Sequence, residues 1–221
     1  MARSPRAARK PSRPYHHGNL RRALLDEALA TIGSDGVEGL TLREIGARVG
    51  VSRSALYRHF ADKRALLAAV ATEGFRTLRR ELVAAWEAGG RGRAGFDAMG
   101  VAYVRFSVAS PAHYRVMFGG FIDAKAGDAD LDTEAAGAFQ ALVDALAALQ
   151  RDGLVRGDDT LTMARFVWAK VHGVAMLGID GQLRQPGDGC GPGRAADVDA
   201  LLRYAIERLH TGIDRDAARR S

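Results

Sequence analysis

Two short helical patterns, separated by a single glycine and each opened by a capping residue, constrain this chain more than any other feature. They lie in Thr41 to Phe60, TLREIGARVGVSRSALYRHF. Thr41-Leu42-Arg43-Glu44 has the form of a capping box: the hydroxyl accepts from the backbone near Glu44, and Glu44 reaches back to the Thr41 amide. Leu40 and Ile45 are spaced as a hydrophobic staple across that start. Ile45 and Val49 supply the buried stripe, Ala47 lets another helix pass close, and Gly50 ends the helix where positive φ is needed. Ser52 caps the next helix, predicted over roughly Arg53 to His59, with Val51 and Leu56 as a second staple. Ala55, Leu56 and Phe60 face the core, which leaves Arg53, Ser54, Tyr57, Arg58 and His59 outward.

That outward set contains no acid. Two short helices joined by a tight turn, the second presenting cationic and hydrogen-bonding side chains, match the dimensions and donor pattern of the DNA major groove. An ordinary helical corner with a solvated face has the same spacing, and the distribution of charge favours DNA. The first 64 residues hold 13 Lys/Arg and 6 Asp/Glu, whereas the remainder holds 19 and 20. All the excess positive charge therefore lies where it would attract phosphate.

The surrounding segments extend the helical reading. Asn19 is placed to cap a first helix whose stripe is Leu20, Leu24, Ala28 and Ile32. It should stop near Asp35, with Gly36 left-handed and Val37 returning to Ile32. Asp62 precedes a long fourth helix that begins with Lys63 and Arg64.

At these residues the sequence resembles the TetR family of bacterial transcriptional regulators, from about Tyr15 to Val70. The resemblance rests on Gly36, Leu40-Thr41, Ile45-Gly46-Ala47, Gly50-Val51-Ser52, Leu56-Tyr57, His59-Phe60 and Lys63-Arg64-Ala65-Leu66-Leu67. It implies that Thr41 and Ser52 lie against phosphate, and that Tyr57, His59 and Lys63 hold the DNA backbone. Arg53 and Ser54 match base-reading positions, and Arg58 a variable position that often joins them. Either arginine can make a bidentate pair with a guanine edge, for ~1–3 kcal/mol of discrimination. The basic start, with Arg9, Lys10 and Arg13, is suited to a minor-groove arm or equally to a solubilising tail.

Beyond Arg64 the pattern remains helical, with predicted helices over 65–87, 96–108, 111–117, 133–150, 160–177 and 197–209. No strand-like alternation appears, so the fold class is all-α, with about nine helices in total. Phe166-Val167-Trp168-Ala169-Lys170-Val171-His172-Gly173 is similar to the C-terminal signature of one TetR subgroup, the WHG type. Tyr15-His16-His17-Gly18 and Pro111-Ala112-His113-Tyr114-Arg115-Val116-Met117 fit the same subgroup. The resemblance implies a regulatory domain whose last two long helices pack against their copies in a homodimer. Gly173 in mid-helix costs ~1 kcal/mol against Ala, which a close helix crossing would justify, either at a dimer seam or inside one protomer.

Aromatic and soft residues on the predicted inner helices are candidates to line an effector pocket: Tyr103, Phe106, Tyr114, Met117, Phe118, Phe139, Trp168, His172 and Met176. The same spacing also builds plain core. If it is a pocket, a hydrophobic or aromatic small molecule suits it.

The expected organisation is a basic arm over 1–14, a DNA-binding domain over 15–70 and a ligand-sensing, dimerising domain over 71–221. The partners expected are an operator in double-stranded DNA, a second copy of the chain and a small-molecule effector; no cofactor or metal is expected. Repression is the expected outcome, and an activator would use the same parts. A non-specific architectural protein would share the basic arm without needing a reading helix. An enzyme finds no support: Gly187 to Gly193 follows a helix and lacks a P-loop lysine, and no catalytic triad or HExxH pattern occurs. No apolar run reaches the ~18 residues of a membrane span. The basic start has no apolar stretch behind it, and Cys190 is the single cysteine, which excludes an internal disulfide. A reducing cytoplasm is therefore expected, with association to the nucleoid when DNA is bound.

Overall fold

The computed structural model describes residues 20–122, 127–183 and 195–214. Among them are nine α-helices and no strand: α1 (Leu20–Asp35), α2 (Leu42–Val49), α3 (Arg53–Tyr57), α4 (Lys63–Ala88), α5 (Arg93–Ala109), α6 (Pro111–Phe118), α7 (Ala129–Arg151), α8 (Thr160–Ile179) and α9 (Ala195–Ile213). The chain divides after Lys63 into two compact units. The Asn19 cap, the basic arm, the Tyr15–Gly18 motif and the loop that carries Cys190 lie outside the described residues.

In the first unit, α1 buries Leu20, Leu24, Ala28 and Ile32 as the four-residue spacing requires, together with Leu25 and Thr31. Gly36 has φ +77 and its amide donates to Ile32 O at 3.2 Å, which closes the helix. Thr41 caps α2, its Oγ1 accepting from the Glu44 amide at 3.3 Å. One detail differs from the expected box. The Glu44 carboxylate accepts from the Thr41 hydroxyl at 2.7 Å instead of from the Thr41 amide. Gly50 closes α2 at φ +78, with its own amide donating to Ala47 O and the next to Gly46 O.

The close approach between α2 and α3 is made by Gly46, not Ala47. Gly46 is buried, and a Cβ built on it would stand 3.3 Å from Leu56 Cδ2, whereas Ala47 is exposed and Val49 only half-buried. Helix α3 is also shorter than expected. It ends at Tyr57, and the His59 and Phe60 amides both donate to Leu56 O as the chain turns inward to bury Phe60.

In the second unit, α8 packs against α5, α7 and α9, and α5 also meets α6 and α9. Its buried positions, among them Met163, Val167, Val171, Val174 and Gly178, recur every three or four residues and so face one side. Helix α7 begins four residues before its predicted start. Asp128 caps it by accepting from the Leu131 amide at 3.1 Å, and Asp130 and Asp132 complement the positive end of the helix dipole. A Gly- and Asp-rich stretch reads as loop on composition, yet its last acids suit a helix start. Helices α5 and α9 likewise extend beyond their predicted ends. Arg93 on α5 bonds Asp214 and the Leu154 carbonyl, and Arg156 N donates to Ile213 O at 2.8 Å. These bonds fix the end of α9 against the α7–α8 turn.

Candidate nucleic-acid interface and effector cavity

Thr41 at the start of α2, Ser52 at the start of α3, and Arg53, Ser54, Tyr57, Arg58 and His59 on and just beyond α3 are all exposed. Ser52 Oγ accepts from the Ala55 amide at 3.2 Å and lies 3.1 Å from Ser54 Oγ. Both Thr41 and Ser52 thus serve first as caps. Their helices start with free amides beside them, which gives each start a positive end that suits a phosphate oxygen. The Arg53 guanidinium stands 5.5 Å from the Tyr57 ring centroid, a cation–π approach from one turn away.

Lys63 is placed differently from the rest. It is half-buried, and its Nζ donates to Val37 O at 2.7 Å and Glu38 O at 3.4 Å. Two of its three donors therefore secure the turn after α1. Arg48 was not singled out by sequence reasoning. Its guanidinium reaches Glu27 at 3.4 Å, Thr31 Oγ1 at 3.2 Å and Asp35 at 3.7 Å, tying α2 to α1. A pairing across 21 residues leaves no local signal in the sequence.

Within the second unit, α4, α5, α6, α7, α8 and α9 line a cavity of about 320 Å³. It brings together four of the nine predicted residues: Tyr103, Phe118, Phe139 and Trp168. Tyr114 and His172 stand behind that wall and hydrogen-bond to it. Tyr103 Oη is 3.0 Å from both Tyr114 Oη and His172 Nδ1, and Tyr114 Oη is 2.6 Å from the same Nδ1. Trp168 Nε1 donates to Tyr103 Oη at 3.1 Å.

Phe106, Met117 and Met176 do not line the cavity. Phe106 is buried in the core, and Met117 packs where Gly74 leaves room for its thioether. The lining that sequence reasoning missed is spread over α4, α5, α7, α8 and α9; Phe75, Leu78 and Leu82 on α4 have a spacing that reads as ordinary core. Two charged residues join it, Asp97 at a half-buried position and Arg165 at an exposed one; Asp97 accepts from His210 Nε2 at 2.8 Å.

Burial pushes the Tyr103 hydroxyl up to about 12, above its ordinary 10.0. The Tyr114 hydroxyl is driven higher still, by burial first and by its neighbour Tyr103 second. Burial lowers the His172 pKa. All three groups are therefore held neutral at physiological pH. The cavity offers a neutral hydrogen-bonding cluster on a wall that is apolar apart from Asp97 and Arg165. Among the described residues no cluster of His, Cys, Asp or Glu is arranged to hold a metal ion, and no helix is long and apolar enough to cross a membrane.

Comparison with known proteins covers both units. Residues 24–70 match the family model described as bacterial regulatory proteins, tetR family. Residues 96–209 match the model described as tetracyclin repressor-like, C-terminal domain. The tetracycline repressor protein class C of Escherichia coli is 49% identical over 51 residues, 23% of this chain and 23% of that protein. The HTH-type transcriptional regulator BetI of Agrobacterium fabrum is 40% identical over 65 residues, 29% and 32% of the two chains. The matches to these curated relatives thus span a quarter to a third of their length. A solved structure of a protein with unknown function from Rhodococcus sp. RHA1 is 32% identical, with TM-score 0.77, covering 92% of this chain and all of that one. A ketosteroid transcriptional regulator of Mycobacterium tuberculosis is 18% identical, with TM-score 0.60 over 88% and 96% of the chains, a likeness of fold alone.

Proposed function

The chain belongs to the TetR family of bacterial regulatory proteins, and from that premise we propose that it is a homodimeric repressor released from a palindromic operator by a small apolar effector. Residues 15–70 form the DNA-binding domain and 71–221 the ligand-sensing and dimerising one. Thr41, Ser52, Tyr57, His59 and Lys63 hold phosphates, while Arg53, Ser54 and Arg58 read base edges. The observation that carries this reading is the exposed, acid-free surface of α3, with Arg53 ordered over Tyr57 and both adjacent helix starts capped by their own hydroxyls.

Pairing is supported by α8. Phe166, Lys170, Gly173 and Leu177 follow one another at four, three and four residues, so they share a face. Phe166 and Leu177 are exposed, and nothing among the described residues lies within 4 Å of a Cβ built on Gly173. No crossing inside the described protomer accounts for that glycine. On α9, Tyr204 is 57% exposed. A second copy covering these residues explains both, and it sets two α3 helices about one DNA turn apart, ~34–36 Å. A ligand that fills the cavity favours a conformer with another spacing, by its differential affinity for the two.

The test is a gel-shift titration with competitor DNA, after selection of a palindrome from a random pool, together with sedimentation. Expected are a dimer and a preference of roughly 10³-fold or more over unrelated DNA. A monomer at working concentration, or equal affinity for all sequences, overturns the proposal.

A further inference from the structure

The polar cluster on the cavity wall has an uneven proton count. Tyr103 Oη has three polar neighbours: Trp168 Nε1, Tyr114 Oη and His172 Nδ1. Trp168 Nε1 only donates, each tyrosine carries one proton, and a neutral imidazole carries one proton on either ring nitrogen. With that proton on Nε2, Tyr114 donates to Nδ1 across 2.6 Å, Tyr103 donates to Tyr114, and Trp168 donates to Tyr103. Every proton in the relay then has an acceptor.

With the proton on Nδ1 the relay runs the other way. His172 donates to Tyr114, Tyr114 donates to Tyr103, and the Tyr103 proton has no acceptor left inside the cluster. Tyr103 and Trp168 line the cavity, so an oxygen within it is placed to take that proton. His172 is half-buried, and a water reaching Nε2 would satisfy that atom in either tautomer because water both donates and accepts. The exchange therefore moves a proton without creating a charge.

We propose that the cavity takes an aromatic molecule bearing one neutral carbonyl oxygen, recognised by the Tyr103 hydroxyl through reversal of this relay at His172. The inference rests on the reading of the cavity as an effector site and specifies its ligand. A neutral oxygen is favoured because the relay has no cation to repay the desolvation of a carboxylate. The cationic Arg165 is at an exposed position, and Asp97 joins it in the lining. In an apolar cavity of about 320 Å³ a bicyclic aromatic skeleton has room, and its ketone supplies the single acceptor.

The experiment uses the full chain and three probes of similar shape: 2-acetylnaphthalene, 2-isopropenylnaphthalene and 2-naphthoate. Calorimetry should give the ketone about tenfold tighter binding than the hydrocarbon, the gain of one hydrogen bond, and the carboxylate weaker binding than the ketone. On addition of the ketone, the ¹⁵N resonance of His172 Nδ1 should move from the unprotonated to the protonated range. Tyr103→Phe should abolish the ketone's advantage over the hydrocarbon, with an unchanged far-UV circular dichroism spectrum showing that the variant is folded. Equal binding of ketone and hydrocarbon, or an unmoved His172 resonance, overturns the relay and leaves the effector cavity standing. Tightest binding by the carboxylate overturns the neutral-ligand assignment. Binding by none of the three overturns both the relay and the cavity's role.

Discussion

Lys63 Nζ donates to the Val37 carbonyl oxygen at 2.7 Å, so the first residue of α4 is tied to the turn that closes α1. A lysine at this point matches a phosphate-binding position by sequence, yet its ammonium is already committed to two carbonyls. Lys63→Met removes a charge-assisted bond from a half-buried site. Urea unfolding should show a loss of about 1–3 kcal/mol. Arg58→Ala, at an exposed position with no comparable bond among the described residues, should stay within about 0.5 kcal/mol of the parent. If the two variants unfold alike, the Lys63 bonds are not structural.

The caps predict a different pattern. Thr41→Ala and Ser52→Ala each remove the oxygen that satisfies an amide at a helix start, and each should cost ~1 kcal/mol in stability. Because those starts also face phosphate in the proposed complex, both variants should weaken binding to all DNA sequences alike. Arg53→Ala should instead change which sequence is preferred, with ~1–3 kcal/mol lost at the affected base pair. Tyr57→Leu, which removes both a proposed phosphate contact and the ring beside the Arg53 guanidinium, should weaken binding to all sequences and also blur that same position. Binding to a panel of single-base operator variants separates these outcomes.

Much of the DNA-binding unit was legible because its signals are local. Caps, staples and left-handed glycines act within four or five residues, and Thr41, Gly50 and Ser52 adopt the conformations their sequence neighbours require. What was not legible depends on pairings across the fold. Gly46 and not Ala47 meets Leu56 because the crossing direction of two helices is set by their packing, which the spacing within either helix does not reveal. The cavity shows the same limit. Tyr103 and Trp168 were identifiable as aromatic residues on inner helices, but Phe75 and Leu78 on α4 have the pattern of ordinary core. Whether a stripe borders a void or another stripe depends on how six helices fit together.

The neutral cluster predicts how stability responds to pH. His172 has a folded pKa below its ordinary 6.5, so the unfolded chain binds the proton more readily. Its contribution is present above 6.5 and is lost as the pH falls below that value. Tyr103, raised to about 12, contributes below pH 10 and loses that contribution as the pH rises from 10 towards 12. Urea midpoints of the parent and His172→Gln between pH 7.5 and 5 should converge on the acid side, because the variant has no imidazole to protonate. Parallel curves would show that His172 does not titrate differently in the folded and unfolded chains.

Gly173 gives the final prediction, because helix propensity and pairing pull in opposite directions there. Inside the described protomer no atom lies within 4 Å of a Cβ at this position, so Gly173→Ala should raise protomer stability, by up to ~1 kcal/mol. A larger side chain leaves the helix through that open Cβ position and stands in the path of a second α8 in the proposed dimer. Gly173→Leu should therefore retain the helical content and thermal transition of the protomer while shifting sedimentation towards monomer. Operator affinity should fall with it, since a single α3 spans too few base pairs to bind tightly alone. Phe166→Glu, on the same exposed face, should act in the same direction by burying a charge in the seam. A dimer that survives both substitutions unchanged is held together by some other surface.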